Sequence, residues 1–188
     1  MIAGLVLAAG AARRFGAPKQ LAELDGRPLL EHVLAAMSSA PLDRVVVVLG
    51  AYAEEIVASA VLHGASAVLC TDWEEGQAAS LRAGLAAAAG AEAVVVALGD
   101  QPLLSARAVA RVLAARGPGA DAVRAAYQGR PGHPIVLERA LFPRLRSLGG
   151  DAGAREVLAG ASVREVPCDG LGRPDGVDTP EELEVVRR

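Results

Sequence analysis

The segment from Ala8 to Lys19 combines small residues with cations, a combination that suits phosphate binding. Gly10 and Gly16 lack side chains, so backbone N–H groups near them can approach a ligand closely. Three cations accompany them, at Arg13, Arg14 and Lys19. Amides that bind phosphate oxygens, beside side chains that neutralise their charge, would form a phosphate cradle. A solvated basic turn is the alternative, and these residues alone leave both interpretations open.

The spacing of the glycines in this segment excludes two familiar phosphate-binding motifs. The segment does not fit G-x-x-x-x-G-K-[ST], so it is not a P-loop. It does not fit G-x-G-x-x-G either, so the fingerprint of the dinucleotide-binding folds is absent. If the segment binds phosphate, it does so as a cradle of another kind.

Two aspartates far from this segment in sequence are candidate metal ligands. Asp100 closely follows the apolar run Ala93–Leu98, and Asp178 stands directly before Thr179. Magnesium binds proteins through one or two carboxylates and completes its shell with phosphate oxygens and water. Each aspartate could instead cap the start of a following helix, and the sequence leaves that alternative open.

The apolar pattern predicts a scaffold that would bring these residues together. Four short apolar runs are typical of buried parallel strands, and segments with helical character separate them. The runs are Ala3–Ala8, Arg44–Leu49, Ser66–Cys70 and Ala93–Leu98. Their alternation with helices predicts an α/β fold, a Rossmann-like three-layer sandwich with a mostly parallel sheet, in one domain over residues 1–188. Ligands of such sheets bind beyond the carboxyl ends of the strands, where the cradle and Asp100 would lie.

The second half of the chain has a looser pattern. Further strands are predicted there, at Asp121–Ala126, Pro134–Leu137 and Ser162–Val166. Residues 128–132 have the composition of a loop between the first two of these strands. A final helix is expected to follow Thr179 as its N-cap, with Pro180 in the first position and Glu182 completing a capping box.

Composition and charge narrow the function classes. The 188 residues contain 19 Lys plus Arg and 22 Asp plus Glu, which is not the basic balance of a nucleic-acid-binding protein. The apolar start of the chain gives way to Arg13 too early for a membrane span, and it lacks the charged beginning of a signal peptide. Cys70 and Cys168 lie far apart and predict two reduced thiols in a cytoplasmic protein. Neither a nucleic acid nor a membrane is expected as a partner.

Motifs spread over nearly the whole chain resemble those of the MobA-like nucleotidyltransferases. The first is L-A-A-G-x-x-x-R-x-G-x-x-K from Leu7 to Lys19, and the others follow it in the family's order. They include Ser80-Leu81-Arg82-Ala83-Gly84, Gly99-Asp100-Gln101-Pro102, Gly132-His133-Pro134, Gly150-Asp151-Ala152-Gly153-Ala154-Arg155 and Asp178-Thr179-Pro180-Glu181. A single motif of this kind would be weak evidence, whereas the ordered set is specific.

Within the family, the likeness is greatest to the molybdenum cofactor cytidylyltransferases, which carry L-A-A-G in the first loop and G-D-Q-P later. The guanylyltransferase relatives more often carry G-G in place of Ala8 and Ala9. The resemblance implies the nucleotide-diphospho-sugar transferase type of fold and transfer of CMP from CTP to molybdopterin, with Mg²⁺ as cofactor. It also implies a molybdenum hydroxylase as a further partner that would receive the product.

The resemblance implies roles for individual residues as well. Arg14, Lys19 and Asp100 would be catalytic, and Asp100 and Asp178 would hold the metal. The nucleotide would contact Leu7, Ala8, Ala9, Gly10, Ala11, Arg14, Lys19, Ser80, Arg82 and Asp100. The acceptor would contact Gln101, His133 and Asp151, although His133 could equally serve only to order its own loop.

Other functions remain open at this level. The nucleotide could be GTP, the acceptor could be another phosphorylated compound, and the chain could carry a molybdenum cofactor for hydroxylase maturation without turnover. The first motif also departs from the family at Ala12, where a serine is common. This departure removes a hydroxyl contact and leaves the binding to backbone amides.

Overall fold

In the computed structural model, which describes residues 1–187, nine strands alternate with seven α-helices and three short 3-10 helices. The strands are β1 (Ile2–Ala8), β2 (Glu23–Leu24), β3 (Arg27–Pro28), β4 (Arg44–Leu49), β5 (Ser66–Leu69), β6 (Ala93–Leu98), β7 (Ala122–Tyr127), β8 (Arg130–Glu138) and β9 (Val163–Pro167). The helices are α1 (Leu29–Ser38), α2 (Ala53–Ser59), α3 (Gln77–Ala87), α4 (Ala106–Ala114), α5 (Phe142–Arg146), α6 (Ala154–Leu158) and α7 (Pro180–Val186). The 3-10 helices are Lys19–Leu21, Trp73–Glu75 and Arg139–Leu141.

Seven of the strands form one sheet with β1 near its centre. The order is β5-β4-β1-β6-β8-β7-β9, and all neighbours pair in parallel except those of β8. Strand β1 is buried on both faces, because Leu5 packs with the helices of one side and Val6 with those of the other. A central strand of this kind needs an unbroken apolar run, which is what the sequence of β1 supplies.

Helices cover both faces of the sheet and make the three layers. One layer is built on α1, α2 and α4, whose buried residues include Leu34, Ile56 and Val109. The opposite layer is built on α3, α5 and α6, with Leu85 and Leu145 among its buried residues. None of the helices in the described part of the chain has the length and apolar character that a membrane crossing needs. The predicted α/β class is confirmed.

The reversed strand β8 is the main difference from the expected pattern. It runs antiparallel between β6 and β7 and begins at Arg130, inside the segment expected to be a loop. The connection from β7 is only Gln128 and Gly129, whose φ angles of 51° and 73° suit a tight hairpin turn. The sequence Gln-Gly is not among the favoured pairs for such a turn, so its composition was compatible with a longer loop.

The last helix packs on a small cluster away from the main sheet. Val177, Leu183 and Val186 pack in one cluster with Leu24 of β2 and Leu29, which directly follows β3. The start of α7 follows the expected capping box. The Thr179 hydroxyl accepts from the Glu182 N–H at 3.3 Å, and the Glu182 carboxylate accepts from the Thr179 N–H at 3.1 Å.

Removing the cap should weaken the docking of α7. We expect Thr179→Ala to lower the free energy of unfolding by about 1 kcal/mol, because an N–H at the helix start loses its acceptor. Thr179→Ser keeps the hydroxyl and is the matched control. The measurement is the urea midpoint of each variant, and equal midpoints for Thr179→Ala and wild type would contradict the expectation.

Candidate functional site

The loop that follows β1 presents unpaired backbone donors. Between Ala9 and Arg14, no N–H group is hydrogen-bonded to an acceptor within residues 1–187. The turn that closes the loop is made by Phe15 and Gly16, whose N–H groups donate to the Ala12 carbonyl at 2.9 and 3.2 Å. Ala12 itself has a left-handed φ of 50°. Successive free N–H groups in such a curved segment form a concavity that suits an anion.

Lys19 joins this loop to the two candidate metal-binding aspartates. Its ammonium lies 2.7 Å from Asp100 Oδ2 and 2.6 Å from Asp178 Oδ1. The Arg14 guanidinium lies 2.6 Å from the other Asp178 oxygen, Oδ2. Four of the residues predicted from the sequence therefore meet at one place, although the lysine and Asp178 are 159 positions apart.

The backbone around these aspartates explains their meeting. Asp100 follows β6 at the carboxyl edge of the sheet, next to the end of β1. The Val177 N–H donates to the Asp100 carbonyl at 2.9 Å, which brings the segment before α7 to the same edge. The Asp178 N–H donates to Glu182 Oε2 at 2.6 Å, so the helix start also fixes the residue that carries the second carboxylate.

The charges of the cluster stabilise one another. Burial lowers the pKa of Lys19, but the charges of Asp100 and Asp178 and their hydrogen bonds outweigh it, so the pKa of Lys19 is raised. The hydrogen bond from Lys19 lowers the pKa of Asp178, against the opposite effect of burial. The Lys19 side chain is only 13% exposed, whereas that of Arg14 is 71% exposed and free to reorient toward a ligand.

The residues present fit a divalent metal that is shared with phosphate oxygens. Two carboxylates reach within 2.7 Å of one nitrogen, so a single cation can contact both. Asp100 Oδ1 is buried and has no hydrogen-bond partner, which leaves a charged oxygen available. No group of three or more His, Cys, Asp or Glu side chains suited to a metal occurs among residues 1–187. Two carboxylates alone suit a divalent metal that completes its shell with substrate phosphates and water.

Gln20 is a residue of the site that sequence reasoning missed. It follows Lys19 in the 3-10 helix and is 3% exposed. Its Nε2 donates to the carbonyls of Ala8 at 2.9 Å and Gly10 at 3.0 Å, and so holds the start of the loop. Nothing in the residue types around position 20 indicates these contacts, because they depend on how the loop folds back over β1.

A cavity of about 860 Å³ opens beside the cluster at the same edge of the sheet. Its wall includes the predicted acceptor residues Gln101, His133 and Asp151, together with Leu7 from β1. Apolar side chains complete much of the remaining surface, among them Leu81, Val96, Ile135, Leu158 and Val163. A cavity of this size holds a ligand of several rings.

The reversal of β8 is what brings His133 to this cavity. A strand antiparallel to β6 begins where β6 ends, so the first residues of β8 lie at the carboxyl edge. The Tyr127 hydroxyl donates to the His133 carbonyl at 3.0 Å. The preceding Gly132 packs closely, because a Cβ there would lie 3.1 Å from Pro174 and 3.2 Å from the Tyr127 ring.

His133 is electrically neutral at physiological pH. Burial lowers the pKa of its imidazole from 6.5 to about 4. A neutral imidazole offers one hydrogen-bond donor and one acceptor, and it adds no positive charge to attract a phosphate. The side chain therefore suits contact with an uncharged polar group.

Two other predicted residues, Gln101 and Arg82, are hydrogen-bonded within the protein, and a third, Ser80, is buried. Gln101 Nε2 donates to the Pro174 carbonyl at 2.9 Å, which leaves its oxygen for a ligand. Arg82 on α3 donates to the Leu148 carbonyl at 2.6 Å and to Glu75 at 3.0 Å. Ser80 is buried in α3 at 6% exposure and does not line the cavity. The nucleotide contacts of Arg82 and Ser80 stay predictions.

A comparison with known protein families decides the family. Residues 4–166 match the model of the MobA-like NTP transferase domain. The chain belongs to this family.

Three named relatives differ in what their names describe. The chain is 38% identical to nicotine blue oxidoreductase of Paenarthrobacter nicotinovorans, over 97% of this chain and 94% of that protein. It is 33% identical to purine catabolism protein PucB of Bacillus subtilis, over 98% and 95%.

The third relative carries a molybdenum cofactor name. It is the "probable molybdenum cofactor guanylyltransferase" of Deinococcus radiodurans, 31% identical over 89% of this chain and 83% of that protein. Among solved structures, Rv0371c of Mycobacterium tuberculosis superposes with a TM-score of 0.89 at 34% identity, covering 98% of this chain and 96% of that one. A structure of Rv0371c in complex with manganese superposes with a TM-score of 0.85 at 31% identity, covering 98% and 97%.

The neutral state of His133 predicts a pH dependence of stability. Between pH 6.5 and about 4 the unfolded chain binds a proton at this residue and the folded chain does not, so stability falls as the pH falls. The loss from pH 7.5 to pH 5 should be on the order of 1–2 kcal/mol.

His133→Gln removes the titrating group and keeps a polar side chain, so it should lose less stability over the same range. Urea unfolding of both proteins at several pH values measures the difference. Parallel losses in the two would mean that the folded protein protonates His133 normally.

Proposed function

We propose that the protein transfers CMP from CTP to the terminal phosphate of molybdopterin and releases pyrophosphate, with Mg²⁺ as cofactor. The observation that carries this proposal is the position of Lys19, which touches both aspartates beside a loop of free N–H groups. Such a site combines metal-binding carboxylates, cations and anion-binding amides within a few ångströms. These are the groups that nucleotidyl transfer requires.

The reaction needs charge neutralisation more than proton transfer. An oxygen of the acceptor phosphate forms a new bond to the α-phosphorus of CTP, and the bond from that phosphorus to the β-phosphate oxygen breaks. The acceptor phosphate is already ionised near pH 7, so no strong general base is needed. Lys19 and Arg14 would bind the triphosphate and stabilise the charge that develops on the departing pyrophosphate.

The two aspartates and the loop have the remaining roles. Asp100 and Asp178 would hold Mg²⁺, which neutralises phosphate charge and favours the in-line arrangement of the attacking and leaving oxygens when it is bound. The N–H groups from Ala9 to Arg14 would donate to the nucleotide, and Leu7 and Ala8 would contact it from the end of β1. The loop can bind the nucleotide without a hydroxyl at Ala12, because its backbone N–H groups are free to donate.

The cavity beside the cluster supports a large acceptor. Its volume of about 860 Å³ exceeds what a small phosphorylated metabolite fills, and its wall combines apolar side chains with polar and charged ones, among them His133, Gln101, Asp151, Arg124, Arg130 and Arg155. A heterocycle with a phosphate arm matches this combination. Molybdopterin has that form, and one relative is named for transfer to the molybdenum cofactor.

CTP is proposed over GTP because the chain has Ala8 and Ala9 where the guanylyltransferases more often have two glycines. GTP stays the alternative nucleotide, since a relative carries the guanylyltransferase name. The buried free cysteines, Cys70 and Cys168, suit a reducing compartment, and we place the reaction in the cytoplasm. A molybdenum hydroxylase would receive the product.

Two rival functions are weighed against the cluster. A cofactor carrier without turnover would have no need for Lys19 to bridge two carboxylates beside an anion-binding loop. An oxidoreductase, as one relative is named, has no evident use for this cluster either. Both rivals predict that no pyrophosphate forms from any nucleoside triphosphate.

Neutral substitutions in the cluster should abolish most of the activity. We expect Lys19→Met and Asp100→Asn to lower kcat for CTP-dependent pyrophosphate release with molybdopterin by about 10²–10³-fold. Lys19→Met removes positive charge that stabilises the departing pyrophosphate, and Asp100→Asn weakens the proposed metal site. Arg107→Ala is the matched control, since Arg107 is an exposed cation on α4 outside the cluster.

The assay is run with GTP in parallel. Wild-type turnover in either cluster variant would overturn the role of that residue. Absence of pyrophosphate with both nucleotides in the wild-type protein would overturn the proposed activity.

A further inference from the structure

The loop of residues 148–153 lies between α5 and α6 and carries Asp151 to the wall of the cavity. Three of its six residues are glycines, at positions 149, 150 and 153. Glycines have no side chains to pack, and they leave the backbone more freedom than other residues do. The position of Asp151 therefore depends on what a neighbouring element contributes.

The first two turns of α3 contribute hydrogen bonds to this loop. Nη1 of Arg82 donates to the Leu148 carbonyl at 2.6 Å, and the Ala78 N–H donates to the Gly150 carbonyl at 3.2 Å. A hydrogen bond from a charged donor is stronger than one between neutral groups. Nη2 of Arg82 donates to Glu75 Oε2 at 3.0 Å, which holds the guanidinium in place.

Gly76, directly before α3, allows the loop to approach the start of the helix closely. A Cβ at this position would lie 2.4 Å from Asp151 Oδ1 and 2.6 Å from the Gly150 carbonyl oxygen. The φ of Gly76 is 104°, a value that glycine adopts without strain. The loop therefore rests on the backbone before α3, and Asp151 is part of that contact.

Arg82 acts on the cavity only through this loop. It is not among the described residues that line the cavity, whereas Asp151 is. Within residues 1–187, the hydrogen bonds of its guanidinium go to Leu148 and Glu75 and not to the loop after β1. A change at Arg82 would thus reach a ligand in the cavity by moving Asp151.

We propose that Arg82 positions Asp151 for binding the acceptor, by fixing the 148–153 loop on α3. The inference rests on the proposed transfer to an acceptor bound in the cavity. A carboxylate accepts hydrogen bonds and donates none, so Asp151 suits an amino or ring N–H group of the acceptor. Arg82 is a positioning residue in this account, which replaces the nucleotide contact that the resemblance implies for it.

The test separates acceptor binding from nucleotide binding. Isothermal titration with Mg²⁺ gives Kd for CTP, and pyrophosphate release gives kcat and KM for molybdopterin. The variants are Arg82→Met, Arg82→Lys, Asp151→Asn and the double variant Arg82→Met with Asp151→Asn. Arg111→Met is the matched control, because Arg111 on α4 also donates to a backbone carbonyl, that of Pro167 at 3.1 Å, in the opposite layer.

We expect Arg82→Met to raise KM for molybdopterin about tenfold, because the acceptor contact is misplaced. The kcat value and Kd for CTP should change little, since the Lys19 cluster is intact. Arg82→Lys keeps a cation for the Leu148 carbonyl and should recover part of the affinity. The double variant should have the KM of Asp151→Asn, because residues that act through one another are not additive. Arg111→Met should match wild type.

Weaker CTP binding by Arg82→Met with an unchanged KM for molybdopterin would contradict the inference and favour a nucleotide contact. Additive effects in the double variant, or a wild-type KM in folded Arg82→Met or in Asp151→Asn, would also overturn it and leave the proposed function standing. If Arg82→Met does not fold, the same comparison is made with Arg82→Lys. A wild-type protein that releases no pyrophosphate from CTP would overturn the proposed function, and the inference with it.

Discussion

The contact of one ammonium group with two carboxylates organises the site. Lys19 lies between Asp100 and Asp178, which are far apart in the sequence and would repel each other without a cation between them. The lysine thereby connects the loop after β1, the edge of β6 and the segment before α7. Each of these parts is held by a different interaction. Gln20 hydrogen-bonds the loop, the pairing of β6 with β1 positions Asp100, and the capping box of α7 fixes the backbone next to Asp178.

The sheet contributes a second constraint through the direction of β8. Parallel strands alone would bring their carboxyl ends to this edge, and the start of every following strand would lie at the other edge. Because β8 is reversed, its first residues join the carboxyl ends of β6 and β7. His133 is carried there by this reversal, and with it one wall of the cavity. The cation cluster and the cavity thus lie side by side for topological reasons.

Much of this arrangement follows from local sequence rules. The apolar runs of β1, β4 and β6 and the capping box of α7 depend on residue type and period, and the sequence predicts them nearly to the residue. The meeting of Asp178 with Lys19 needed family likeness, because no local rule relates residues so far apart. The contacts of Gln20 depend on the folded path of the loop and have no signal in the chain. The two-residue turn at Gln128 and Gly129 was not predicted, because glutamine seldom adopts the positive φ that this turn requires.

The position of Lys19 has a consequence for the order in which ligands arrive. Two cations cannot occupy the space between Asp100 and Asp178 at once, so the lysine is an internal counterion that a metal ion would have to replace if it bound both aspartates. Its ammonium can leave the aspartates at low cost only when phosphate oxygens are present to receive it. We therefore expect metal and nucleotide to enter together, as a preformed complex, and to bind poorly one without the other.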